Sequence, residues 1–191
     1  MRDAVLLGTR LVLGGYLAVH GAQKLFGAFD GPGLDAAGAG FESIGLTPGR
    51  QMAALAGVTE LAGGVLTGAG AADPLGPLAI AGAMSVAAAT HRANGPLAAN
   101  RGFELPLTNL AAAAALAAVG PGRFRLTPPV PRALAALAAV TGGALAAGSL
   151  AKLFTAKPAA SQPAAATEST NGAAAERSSV ADGSREPRGS S

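Results

Sequence analysis

Residues 3–29, "DAVLLGTRLVLGGYLAVHGAQKLFGAF", form an almost unbroken apolar run into which Arg10, His20, Gln23 and Lys24 are set. About 20 mostly apolar residues are what an α-helix needs to cross the hydrocarbon core of a bilayer. Arg10 interrupts what would otherwise resemble a signal core, and no small-x-small cleavage site follows. The stretch therefore reads as an uncleaved first span. Composition agrees: only 13% of the 191 residues are charged and 50% are hydrophobic. A soluble domain averages about 25% charged residues, so this chain lacks the polar surface of a water-soluble globule.

Four further runs continue the pattern, giving candidate spans at residues 4–22, 51–71, 75–91, 104–120 and 133–154. Ala, Gly and Leu dominate the second, third and fourth. Such small residues let helix backbones approach closely in lipid, and Gly64 and Gly68 of "GVLTG" make one GxxxG pair. Between the first two spans, "GAFDGPGLDAAGAGFESIGLTPGR" (27–50) is dense in turn residues, and its apolar positions suit the membrane surface. "ADPLG" (72–76) makes a tight hairpin with Pro74 opening the third span, and Pro106 fits the first turn of the fourth. "GPGRFRLTPPVPR" (120–132) stops the fourth. The Ala/Ser/Pro-rich remainder cannot bury enough apolar surface to offset ordering entropy and is expected to be disordered.

The expected fold is an all-α membrane protein: an antiparallel four-helix transmembrane bundle with a fifth C-terminal transmembrane helix and a disordered tail. Its divisions fall at 1–127, 128–154 and 155–191. Placing the N-terminus inside leaves Arg123, Arg125 and Arg132 cytoplasmic, whereas the reverse orientation puts Lys24, Arg50, Arg92, Arg101 and Lys152 there. The first is the adopted expectation.

Net charge is +3, with no basic stripe interleaved with aromatics, so no nucleic-acid partner is expected. Cysteine is absent, which excludes disulfides, thiolate metal sites and dithiol redox chemistry in this chain. No metal site is expected.

Alternating spans bring the ends of spans one and three and the start of span four to one membrane face. His20, Gln23, Lys24, His91, Arg92 and Glu104 then gather at one rim. At 100° per residue, Arg10, Gly14, Leu17, His20, Gly21 and Lys24 share an arc of roughly 120° on span one. Glu60 lies near the middle of span two, with Gly57, Gly64 and Thr67 on its face. A charge near the bilayer centre is costly, about 2.5–3.5 kcal/mol for Arg. The expectation is that Arg10 and Glu60 pair across adjoining helices, either to set helix register or as the floor of a polar pocket. Bis-histidine haem ligation would require His20 and His91 to face one cavity.

"RLVLGGYLAVHGAQKLFG" (10–27), "GVTELAGGVLTGAG" (57–70) and "GFELPLTNLAAAAALAAVGPGRFRL" (102–126) together resemble the DoxX family of small integral membrane proteins, in the expected order over residues 4 to about 126. The resemblance implies a compact four-helix bundle in a prokaryotic plasma membrane. It also implies association with membrane redox systems, including quinone-linked and oxidative-stress assemblies. Arg10, His20, Lys24, Glu60 and Glu104 are the positions that carry over. The fifth span and tail lie outside the family core, and aromatic content is thin, with no Trp and Tyr16 as the only Tyr.

The leading functional expectation is a membrane subunit of a redox assembly, at most an oxidoreductase subunit dependent on partner proteins. Quinone or another small apolar molecule is the candidate ligand. The candidate polar pocket comprises Arg10, His20, Gln23, Lys24, Glu60, His91, Arg92 and Glu104. A non-catalytic scaffold for soluble partner enzymes is the alternative. A small transporter ranks below it, because no span is convincingly broken at mid-membrane.

Overall fold

The computed structural model describes residues 1–155. The low-complexity tail beyond Thr155 lies outside the described residues. The described chain is all helical apart from its connections: α1 (Arg2–Phe26), α2 (Gly33–Ser43), α3 (Gly49–Ala69), α4 (Leu75–His91), α5 (Glu104–Val119) and α6 (Arg132–Thr155). The helix α1 runs four residues past the expected span because Gln23 and Lys24 continue it. Gly27 stops it, with φ 68° and its N–H returned to the Gln23 carbonyl. Gly70 ends α3 in the same left-handed conformation.

Helices α1, α3 and α6 are long and apolar enough to cross a membrane, and α4 and α5 are shorter apolar helices. The 17 residues of α4 measure about 25 Å, just short of a hydrocarbon core of about 30 Å. This is a multi-pass membrane protein. Helices α1, α3, α4 and α5 form the antiparallel bundle, with α2 laid against α3 and α6 packed on α4. Leu13 and Leu17 meet Ile80, Met84, Ala113 and Leu116 in the core. The loop expected to lie along the surface folds as α2, whose Gly38 sits against the Arg50 backbone.

The tightest junction is between α1 and α3. A Cβ on Gly14 would lie 2.5 Å from the Gly64 carbonyl oxygen, and one on Gly64 would lie 2.5 Å from the Ala18 nitrogen. Further along, Gly21 meets Leu61 and Gly57. With no hydrophobic drive between helices in lipid, this approach of bare backbones gives dispersion contacts that larger residues would prevent. Both members of the GxxxG pair face Gly14, whose Cβ would lie 2.6 Å from the Gly68 nitrogen, but a Cβ on Gly68 itself would meet only the Arg10 carbonyl oxygen, at 3.8 Å.

Arg10 corrects the expected pairing: it does not meet Glu60. Only 2% exposed, its guanidinium donates to the carbonyls of Pro121, Phe124 (2.6 Å) and Gly68 (3.4 Å). It packs beside Gly70, ten residues along α3 from Glu60, an axial offset of about 15 Å. A planar fork with five donors suits several convergent carbonyls. Around it, the Leu126 and Val130 N–H groups donate to the Ala69 and Asp73 carbonyls, and the Ala72 N–H to Thr127 Oγ1. Arg10 therefore ties the 121–131 linker to the α3–α4 hairpin. Burial in this loop raises the Asp73 carboxyl above the usual aspartate range, with the Arg10 charge acting against the rise.

Arg10→Leu strands these carbonyls and is expected to cost about 1–3 kcal/mol. Limited proteolysis should cleave the 120–131 linker faster in this variant. An unchanged cleavage rate would show that the linker holds without Arg10.

Candidate functional site

The α1–α3 register decides which charges meet. Helical side chains lean toward their own N-terminus, so in an antiparallel pair Lys24 leans toward the level of Gly21 and Glu60 toward that of Gly57. The two overlap between the glycine contacts, and Lys24 Nζ lies 2.5 Å from Glu60 Oε2. The Glu60 side chain is 7% exposed and that of Lys24 22%. The acid is thus held in the interior while the longer base reaches in from the end of α1.

This pair borders a cavity of about 400 Å³. Three helices contribute regular faces to its walls. Met52, Leu55, Ala56, Thr59 and Glu60 line it from α3, and Ala138, Gly142, Leu145, Ala146 and Ser149 from α6. The α4 face runs from Leu75 to His91, so the slot follows about 24 Å of helix. Phe41, Ile44 and Leu46 close in from the α2 side.

Its polar groups are few and lie toward one end. Three wall hydroxyls are turned back on their own helices: Thr59 donates to the Leu55 carbonyl (2.6 Å), Ser149 to Leu145 (2.9 Å) and Thr90 to Ala87 (2.8 Å). What remains for a ligand is the Lys24–Glu60 pair and the His91 ring. The α4 wall from Leu75 to Val86 is apolar apart from the Ser85 position, which is absent from the lining. The slot therefore suits a molecule with a small polar head and a long apolar body, held with the head at the Lys24 end.

The eight sequence-derived positions separate. Lys24, Glu60 and His91 border the one cavity. Arg92 is not among the cavity-lining residues; its guanidinium stands 4.4 Å from the centre of the Phe154 ring on α6. His20 stacks edge-on against Tyr16 at 4.4 Å and is not among the cavity-lining residues, so the two histidines do not share it. Gln23 packs against Gly31 in the following turn. Exposed Glu104 accepts from the Ala98 N–H at 2.8 Å and so serves the loop before α5. Arg10 lies at the far end of the bundle.

Sequence reasoning did not identify the α6 wall. A signal was present: the lining positions 138, 142, 145, 146 and 149 keep the spacing of one helical face and are mostly small. Lys152 fastens that helix by donating to the Thr47 carbonyl at 2.6 Å, near the start of α3.

Comparison with known proteins gives a match of residues 5–93 to the DoxX family model. The matched segment contains Arg10, the Lys24–Glu60 pair and His91, and ends just after α4; α5 and α6 lie beyond it. No curated protein and no solved structure matches the chain.

Proposed function

This chain is a DoxX-family membrane protein over residues 5–93, and on that premise we propose that it is the quinone-binding membrane subunit of a redox assembly in a prokaryotic plasma membrane. The observation that carries the reading is the slot between α3, α4 and α6, polar at one end only. A prenylated quinone has matching chemistry, a small ring with hydrogen-bonding oxygens on a long hydrocarbon tail. Lys24 directs one N–H to Glu60. Its remaining N–H groups serve a ring oxygen, and the buried carboxylate keeps the lysine charge localised. The chain has no cysteine, so in this proposal the electrons come from a partner protein.

Gly142 offers a direct test, because it lines the slot while its own Cβ direction is open, with no atom within 4 Å. The full-length protein in nanodiscs should bind a decyl-tailed benzoquinone saturably. Gly142→Phe fills the slot and should weaken that binding by about tenfold or more, the loss of roughly 1.4 kcal/mol of contact, with thermal stability retained. Absence of saturable binding by the wild type would dismiss the reading.

A further inference from the structure

Resting on the quinone-site reading, the geometry points to a narrower one: we infer that His91 selects the hydroxyl-bearing, reduced form of the ligand, a tailed hydroquinone, over the quinone. The argument starts at the other ring nitrogen. His91 Nδ1 lies 2.8 Å from the Ala87 carbonyl oxygen and 3.0 Å from Thr90 Oγ1. A carbonyl oxygen only accepts. The Thr90 hydroxyl proton is already directed at that same carbonyl. Nδ1 must therefore carry the proton, which leaves the lone pair of the neutral ring on Nε2.

Nε2 makes no hydrogen bond among the described residues, and His91 borders the slot. The wall hydroxyls that would otherwise supply a donor are committed to the carbonyls of Leu55, Leu145 and Ala87. An acceptor in an apolar slot with no protein donor in hydrogen-bond contact among the described residues is satisfied by a donor on the ligand. A quinone has only carbonyl oxygens; it can accept from Lys24 but leaves Nε2 unpaired. A hydroquinone offers both kinds of contact, since its hydroxyl oxygens accept and its O–H groups donate. Sites built around a substrate hydroxyl reject analogues lacking it strongly, because a desolvated polar group is then left without a partner.

The test compares ligands before it compares proteins. Decyl-tailed hydroquinone and its dimethyl ether have the same ring and tail, but the ether has no O–H. Binding of both to the full-length protein in nanodiscs is measured anaerobically, with the quinone as a third probe. The wild type is expected to bind the hydroquinone at least about tenfold more tightly than the ether or the quinone. In His91→Leu the ratio is expected to fall to within about twofold.

Equal affinities in the wild type, with each probe binding saturably, would overturn the inference while leaving the quinone site standing. A preference that survives in His91→Leu would overturn the role of His91. If no probe binds saturably, the site reading itself fails. Should His91→Leu not fold, the wild-type ratio alone decides.

Discussion

Lys24→Met is expected to destabilise the folded protein by about 3–5 kcal/mol, and adding Glu60→Gln should restore most of that loss. Removing one member of a buried ion pair leaves a desolvated charge without compensation, whereas removing both leaves a cavity wall that needs none. The two single changes should also differ. Glu60, with its side chain 7% exposed, sits in mid-helix on a stem shorter than that of lysine. Lys24 is 22% exposed near the end of α1, so its long stem can carry an unpaired ammonium outward to the interface. Glu60→Gln alone should therefore cost less than Lys24→Met alone. Denaturant unfolding in detergent, followed by far-UV circular dichroism on all four members of the cycle, measures both effects. A double variant whose loss equals the sum of the two single losses would show that the two side chains do not interact.

The second large effect separates two adjacent glycines. A methyl at Gly14 would lie 2.5 Å from the Gly64 carbonyl oxygen and 2.6 Å from the Gly68 nitrogen. Backbone atoms on a facing helix cannot rotate away, so α1 and α3 must separate. Overpacking of this kind costs about 1–3 kcal/mol for small insertions, and Gly14→Leu is expected to yield no monodisperse protein. Gly15, the next residue, has nothing within 4 Å of its Cβ direction. Gly15→Ala should be neutral or stabilising by up to about 1 kcal/mol, the helix-propensity difference between the two residues. Thermal unfolding of Gly14→Ala and Gly15→Ala in the same detergent tests the contrast. Equal melting temperatures would refute the close approach of these helices.

These two predictions are connected through register. Glycines seven apart occur on both helices, at 14 and 21 on α1 and at 57 and 64 on α3. Antiparallel docking admits three alignments of these pairs, and two of them, Gly14 on Gly57 and Gly21 on Gly64, make one glycine contact each. Setting Gly14 against Gly57 makes one glycine contact and brings Arg10 level with Glu60, the pairing expected from the sequence. Setting Gly14 against Gly64 and Gly21 against Gly57 makes two contacts. That alignment brings Lys24 to Glu60 and sends Arg10 to Gly70 and the linker carbonyls. Close backbone packing is the main attraction between helices in lipid, so the alignment with two contacts is favoured. The spacing was legible; that both contacts form at once was not, because depth in the membrane alone made Arg10 and Glu60 look like neighbours.

By itself the sequence determined the helices and their threading, since apolar runs of spanning length with Gly and Pro between them leave the chain few alternatives in a bilayer. It also determined which face of α1 turns inward: of Arg10, Gly14, Leu17, His20, Gly21 and Lys24, chosen by helical phase, four are buried and His20 and Lys24 are half-buried. Only the tertiary structure decided the axial offset between α1 and α3, the use of Glu104 in a loop, and the placement of α6 as the third wall of the slot. Periodicity reports the direction a side chain faces around its own helix axis. It carries no information about how far a neighbouring helix has slid along that axis, or which neighbour an outer helix will choose.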